Sequence, residues 1–136
     1  MGFASPGGAV LDERRAYSAP VELWRNQWAL SGDWRIGVAP ALLNEPGGAI
    51  AYRFRARDLH LVMGPPAHHA PVRFQVYLDG EPPGPAHGVD ADEDGNETAD
   101  YQRLYQLIRQ PGPIEDRLFE IEFLDPGVEA FVFTFG

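Results

Sequence analysis

The densest group of candidate metal ligands is the run Asp90-Ala-Asp92-Glu-Asp94-Gly95-Asn96-Glu97-Thr98. Oxygens at alternate positions, with glycine at the sixth, can wrap a hard cation such as Ca²⁺. In that register the ligands are Asp90, Asp92, Asp94, the Asn96 carbonyl and Thr98. The twelfth position should be a bidentate glutamate and is Tyr101, while Glu97 and Asp100 fall out of register. The flanks do not read as helices. Two readings stand: a calcium loop without an EF-hand, or a solvated acidic loop turned by Gly95-Asn96.

Aromatic residues form the second constellation. Sugar rings present apolar C–H faces, which pack on exposed flat rings. Tyr77 stands at the opposite phase to the apolar set of its strand, Tyr105 lies in a run that is apolar on both faces, and Trp24 precedes the first clear strand. These three are the platform candidates, with Arg53, Gln75 and Arg103 as polar partners. The competing reading for each platform residue is ordinary packing. Trp28 and Trp34 are assigned to the core, where large aromatics contribute most.

The remaining chemistry is thin. His68 and His69 are adjacent, so in an extended segment they point to opposite sides. Nothing in the spacing brings them together with His60 and His87, and a zinc site needs three or four ligands. Glu120 and Glu122 share one strand face; their separation would suit a glycosidase pair, but a solubilising face is the commoner use. Ser5, Ser18 and Ser31 lack the Gly-x-Ser-x-Gly context of a nucleophile elbow. Gly7-Gly8 and Gly47-Gly48 read as turns. Independent catalysis is not expected.

The elements that must carry these residues are strands. Ile50, Tyr52, Phe54 and Ala56 alternate with polar or small residues, as do Val72, Phe74, Val76 and Leu78, and Phe119, Ile121 and Phe123. Strict period-two alternation buries one set and exposes the other. Phe131, Phe133 and Phe135 alternate with Val132 and Thr134, which predicts a buried C-terminal strand. Trp28-Leu30 and Trp34-Ile36 predict two short strands broken near Ser31-Gly-Asp33. Leu59 to Met63 is a further strand. Asn44-Glu-Pro-Gly-Gly48, Asp79-Gly80, Pro111-Gly-Pro and Asp125-Pro-Gly supply turns. About eight or nine short strands with turns between them predict an all-β sandwich of jelly-roll type.

Composition bounds the class. The chain has 136 residues, enough for one domain with its own core. Gly 15 and Pro 13 are scattered between apolar runs, which favours many turns over disorder. Net charge is −9, so the field repels phosphate backbones and nucleic acid is not an expected partner. There is no cysteine, hence no disulfide and no thiol chemistry on this chain. No apolar run approaches a membrane span, and no signal-peptide pattern opens the sequence. Residues 1–20 read as an extended arm that could equally fold back onto the sheet, and residues 21–136 as the sandwich.

Several blocks resemble one family. Arg103-Leu-Tyr-Gln-Leu-Ile-Arg-Gln110, Phe119-Glu-Ile-Glu-Phe-Leu-Asp-Pro-Gly-Val-Glu-Ala130 and Phe133-Thr-Phe-Gly136 look like the C-terminal module of DipZ-type proteins. Phe3 to Gly8, Trp28 to Trp34, Tyr52 to Val62 and Ala86 to Asp90 fit the same pattern. DipZ-like proteins are membrane-anchored thiol–disulfide proteins with an extracytoplasmic thioredoxin-like domain, associated with cytochrome c biogenesis. Their last module resembles a carbohydrate-binding-module β-sandwich. The resemblance implies a non-catalytic binding module on the periplasmic side, tethered through its parent, that holds carbohydrate. A second implied role is a structural domain docking on the thioredoxin-like domain and its clients. In either case the redox Cys-x-x-Cys would lie outside this chain. Met1 followed directly by a family block reads as a start codon added to an excised module, with a natural short protein as the other reading.

Overall fold

Alternation along the strands translates into two antiparallel sheets facing each other. The computed structural model describes residues 3–4, 13–17, 28–36, 41–67 and 69–136. The described residues form β1 (Phe3–Ala4), β2 (Glu13–Tyr17), β3 (Trp28–Ile36), β4 (Ala41–Leu43), β5 (Ala49–Phe54) and β6 (Asp58–Gly64). They continue with β7 (Val72–Leu78), β8 (Asn96–Ala99), β9 (Arg103–Arg109), β10 (Arg117–Phe123) and β11 (Glu129–Phe135). One sheet runs β8-β7-β10-β5-β3 and the other β3-β4-β11-β6-β9, so β3 belongs to both. β1 and β2 also pair with β3, and both fall within the stretch read as an arm able to fold back. Among the described residues no helix is long and apolar enough to cross a membrane.

The two-sheet membership of β3 explains the expected break near Ser31-Gly-Asp33. The strand does not stop there; it changes partners. Leu30 and Ser31 pair with β5, whereas Trp34 to Ile36 pair with β4. Gly32 sits between the two halves at φ +103°, and a Cβ there would stand 2.6 Å from the Gly48 Cα. Only glycine turns this corner without strain or a clash.

The core fills the space between the sheets. Ile50, Phe54, Phe74, Val76, Phe119, Ile121 and Phe123 face Leu59, Leu61, Met63, Tyr105 and Leu107. Phe74 meets Tyr105 edge-to-face at 6.2 Å, and Trp34 meets Phe123 in the same way at 5.9 Å. Such crossings lock the spacing of the sheets beyond simple burial.

Two segments depart from the pattern expected of them. The end of the acidic run is not loop: Asn96–Ala99 is β8 and pairs with β7 from Gln75 to Val72. The C-terminal strand is only partly buried. A register shift between Ala130 and Val132 marks a bulge, which interrupts the alternation and leaves Phe131 exposed. Phe133 packs on Tyr52 and Phe119 as expected. Phe135 keeps the inward phase, stacked on Phe54 at 6.1 Å, yet remains 41 % exposed.

The turn after β10 is fixed by charge. Asp125 accepts from the Arg73 backbone N–H at 2.9 Å and from its guanidinium at 2.9 and 2.8 Å. These bonds pull the Asp125 carboxyl from its ordinary 3.8 to about 2. A carboxyl depressed in the folded state contributes stability that is complete above its unfolded pKa and is lost as pH falls through the folded one. Thermal midpoints followed from neutral pH downward should therefore decline between about 3.8 and about 2. Asp125→Asn should flatten that part of the curve. An unchanged decline in the variant would assign the acid sensitivity to other carboxyls.

Candidate functional site

The outer face of the β8-to-β3 sheet carries three of the six residues expected to hold a ligand. On β7 the core set Phe74, Val76 and Leu78 leaves Arg73, Gln75 and Tyr77 pointing outward. Pairing places Tyr77 opposite Glu120 and Gln75 opposite Glu122 on β10. On the far side of β10, Glu120 meets Ala51 and Leu118 meets Arg53 on β5. A tyrosine, a carboxylate row, an amide and an arginine thus share one surface with small alanines between them. Tyr77 and Arg53 are half-buried. Gln75 Nε2 donates a long bond of 3.4 Å to the Asp94 carbonyl. Leu118 packs beside Ala29 and Ala51 as a small apolar cluster on this face.

Tyr105 and Arg103 are not part of that surface. Tyr105 is fully buried between the sheets, and its hydroxyl donates to the Tyr101 carbonyl at 2.7 Å. It cannot offer a ring face to a sugar. The reason is that inward and outward phases on β9 are both apolar, so the pairing register alone decides which set goes inside. Arg103 lies over the Tyr105 ring at 3.8 Å and is engaged with Asp90 through bonds of 2.7 and 3.1 Å. Trp24 lies outside the described residues.

The expected cation ligands do not converge. Burial alone would raise the Asp90 carboxyl, but bonds from Arg103 and from the Gln106 N–H outweigh it and hold the carboxyl below its usual range. Asp92 Oδ1 accepts from the Asn96 N–H at 2.8 Å, closing the turn. Asp94 is exposed, while Asn96 and Thr98 lie in the β8 ladder opposite Gln75 and Arg73. Gly95 supplies the turn at φ +86°, where a Cβ would run into the Val76 carbonyl. Arg103 and the Gln106 N–H thus engage Asp90, and the Asn96 N–H engages one oxygen of Asp92. Among the described residues no group of three or more His, Cys, Asp or Glu is placed to hold a metal ion.

The fold also assembles a pocket that no sequence spacing signals. Residues 87–90 run along the free edge of β9: the Gly88 N–H donates to the Leu107 carbonyl at 2.9 Å and the Asp90 N–H to the Gln106 carbonyl at 3.0 Å. This covers an edge that would otherwise invite pairing. It also places His87 and Val89 beside Asp58 and His60 of β6 and Gln106, Ile108 and Arg109 of β9, around a cavity of about 90 Å³. Of the four histidines, His68 lies outside the described residues and His69 is exposed in its loop.

The other outer face contrasts with the first. Register aligns Val132, Val62 and Leu104 across β11, β6 and β9, and next to them Thr134, His60 and Gln106. Val132 and Leu104 are 52 % and 40 % exposed. In a chain of net charge −9, these two rows carry no carboxylate.

Comparison with known proteins places the geometry. The family model described as the thioredoxin-like C-terminal domain matches residues 1–136. No curated protein sequence matches the chain. Among solved structures, a family two carbohydrate esterase from Cellvibrio japonicus has a similar fold, with a TM-score of 0.61 at 16 % identity. The match covers 98 % of this chain and 33 % of the esterase, so the chain spans about a third of that protein's length. This likeness agrees with the jelly-roll sandwich expected from the alternating strands.

Proposed function

The chain belongs to the family of thioredoxin-like C-terminal domains, and on that premise we propose that it is a carbohydrate-binding accessory module of a DipZ-type protein. It has no cysteine, so the redox step belongs to the thioredoxin-like part of the parent. The parent would carry it outside the cytoplasmic membrane. The observation that supports the reading is the outer face holding Tyr77 with Gln75, Glu120 and Arg53 on neighbouring strands. A half-buried ring gives apolar area, and the flanking carboxylate, amide and guanidinium offer both acceptors and donors to sugar hydroxyls. The fold it shares with part of a carbohydrate esterase adds support at the level of architecture only.

Binding of the purified chain to a panel of glycans and cell-wall polysaccharides tests this. Tyr77→Ala should weaken binding by about tenfold, the loss of one ring contact. Unchanged affinity in that variant would remove this face from the site.

A second reading rests on the uncharged row Val132, Val62 and Leu104. Exposed apolar rows of this kind mark surfaces that meet another protein. In that reading the module docks on the thioredoxin-like domain of its parent and shapes access to the redox cysteines. Failure of the folded chain to bind any glycan would favour this role.

A further inference from the structure

We infer that the pocket between β6, β9 and residues 87–90 is a second site, built for one hydroxyl-rich sugar ring at the end of a glycan. This inference rests on the carbohydrate reading but names a different surface from the Tyr77 face. Asp58 is 8 % exposed, and its Oδ1 is buried with no hydrogen-bond partner. Its other oxygen is already used by Arg57, through bonds of 3.2 and 3.0 Å. Arg109 Nε stands 3.8 Å from Oδ1, within ion-pair reach but beyond a hydrogen bond. A buried carboxylate oxygen left unbonded is costly, and Asp58 is one of the residues that line the pocket.

The other lining groups are held but unspent. His87 Nδ1 lies 2.7 Å from the Ala91 carbonyl and 2.8 Å from the Gly88 carbonyl. Two carbonyls can only accept, so Nδ1 carries a proton and Nε2 is the ring nitrogen left for another partner. His60 Nδ1 is 3.2 Å from the Thr134 hydroxyl, which can donate or accept, so its Nε2 can serve either role. The exposed Gln106 amide brings a donor and an acceptor, and the exposed Arg109 guanidinium brings donors. Val89, 76 % exposed, and the buried Ile108 supply apolar wall.

This mixture selects the class of ligand. An anion would meet the Asp58 carboxylate, and a cation would meet the Arg109 guanidinium. A hydroxyl both donates and accepts, so neighbouring hydroxyls on one ring satisfy both kinds of group at once. A cavity of about 90 Å³ has room for several waters, whose places the hydroxyls along one edge of a terminal ring would take.

The test is a titration of the ¹⁵N-labelled 136-residue chain with glucose, galactose, mannose and N-acetylglucosamine, each alone, read by amide and imidazole shifts. We expect at least one sugar to move the resonances of His60, His87, Val89 and Gln106. Gln106→Ala should weaken that binding by about tenfold, one lost hydrogen-bonding group, while Tyr77→Ala leaves it unchanged. Gln106 is exposed, so its side-chain truncation should spare the fold. Shifts confined to Gln75, Tyr77 and Glu120, indifferent to Gln106→Ala, would overturn the pocket and keep the carbohydrate reading. No shift with any of the four sugars would overturn the pocket, and a glycan panel that is also negative would remove the carbohydrate reading with it.

Discussion

Trp34→Ala is expected to lower the stability of this domain by about 4 kcal/mol, the usual cost of emptying a large aromatic site in a core. Trp34 is fully buried, and its ring meets Phe123 edge-to-face at 5.9 Å. Its indole N–H donates to the Ser31 carbonyl at 2.8 Å, on the other side of the Gly32 corner. The residue therefore holds the point where β3 passes from one sheet to the other. Truncation leaves a cavity and an unpaired carbonyl at that corner. In thermal unfolding the midpoint should fall by roughly 10–20 °C. Trp34→Phe should recover part of the loss, because it restores ring volume but not the hydrogen bond. A fall of only a few degrees for the alanine variant would mean that the sheets are joined elsewhere.

Asp90→Ala is expected to cost about 2 kcal/mol, less than a fully buried pair because Arg103 keeps a third of its side chain in water. The substitution strips the Gln106 N–H of its acceptor and leaves the Arg103 guanidinium without its anion. Arg103 still lies over the Tyr105 ring, which offsets part of the loss. The double variant Asp90→Ala with Arg103→Ala should be more stable than the sum of the singles predicts, since the unpaired charge is gone. Calcium or a chelator should leave the wild-type midpoint unchanged. A midpoint that rises with calcium would overturn the assignment of Asp90 to Arg103.

Much of the fold was legible because most strands alternate strictly. β7 and β10 each bury one phase, and the sequence marks that phase with Phe, Ile, Val and Leu. The face that carries Tyr77, Gln75 and Arg53 follows from the same alternation. Where alternation is absent or broken, local residue types do not mark the strand. β8 is all polar or small, and only its partner β7 makes it a strand. The β11 bulge moves Phe131 into solvent although the letters before and after it alternate.

Fold class, turns, the absence of thiol chemistry on this chain and the family blocks all follow from local residue types and spacing. Which acids are engaged depends on contacts between residues distant in sequence. Asp90 reads as a calcium ligand beside Asp92, but Arg103 thirteen residues on returns beside it and claims it. Only the tertiary structure put Tyr105 inside, since a strand apolar on both faces takes its orientation from the register of its neighbours. The same holds for the Asp58, His60 and His87 pocket. Its residues share no motif, and the antiparallel pairing of β6 with β9, edged by residues 87–90, is what brings them to one place.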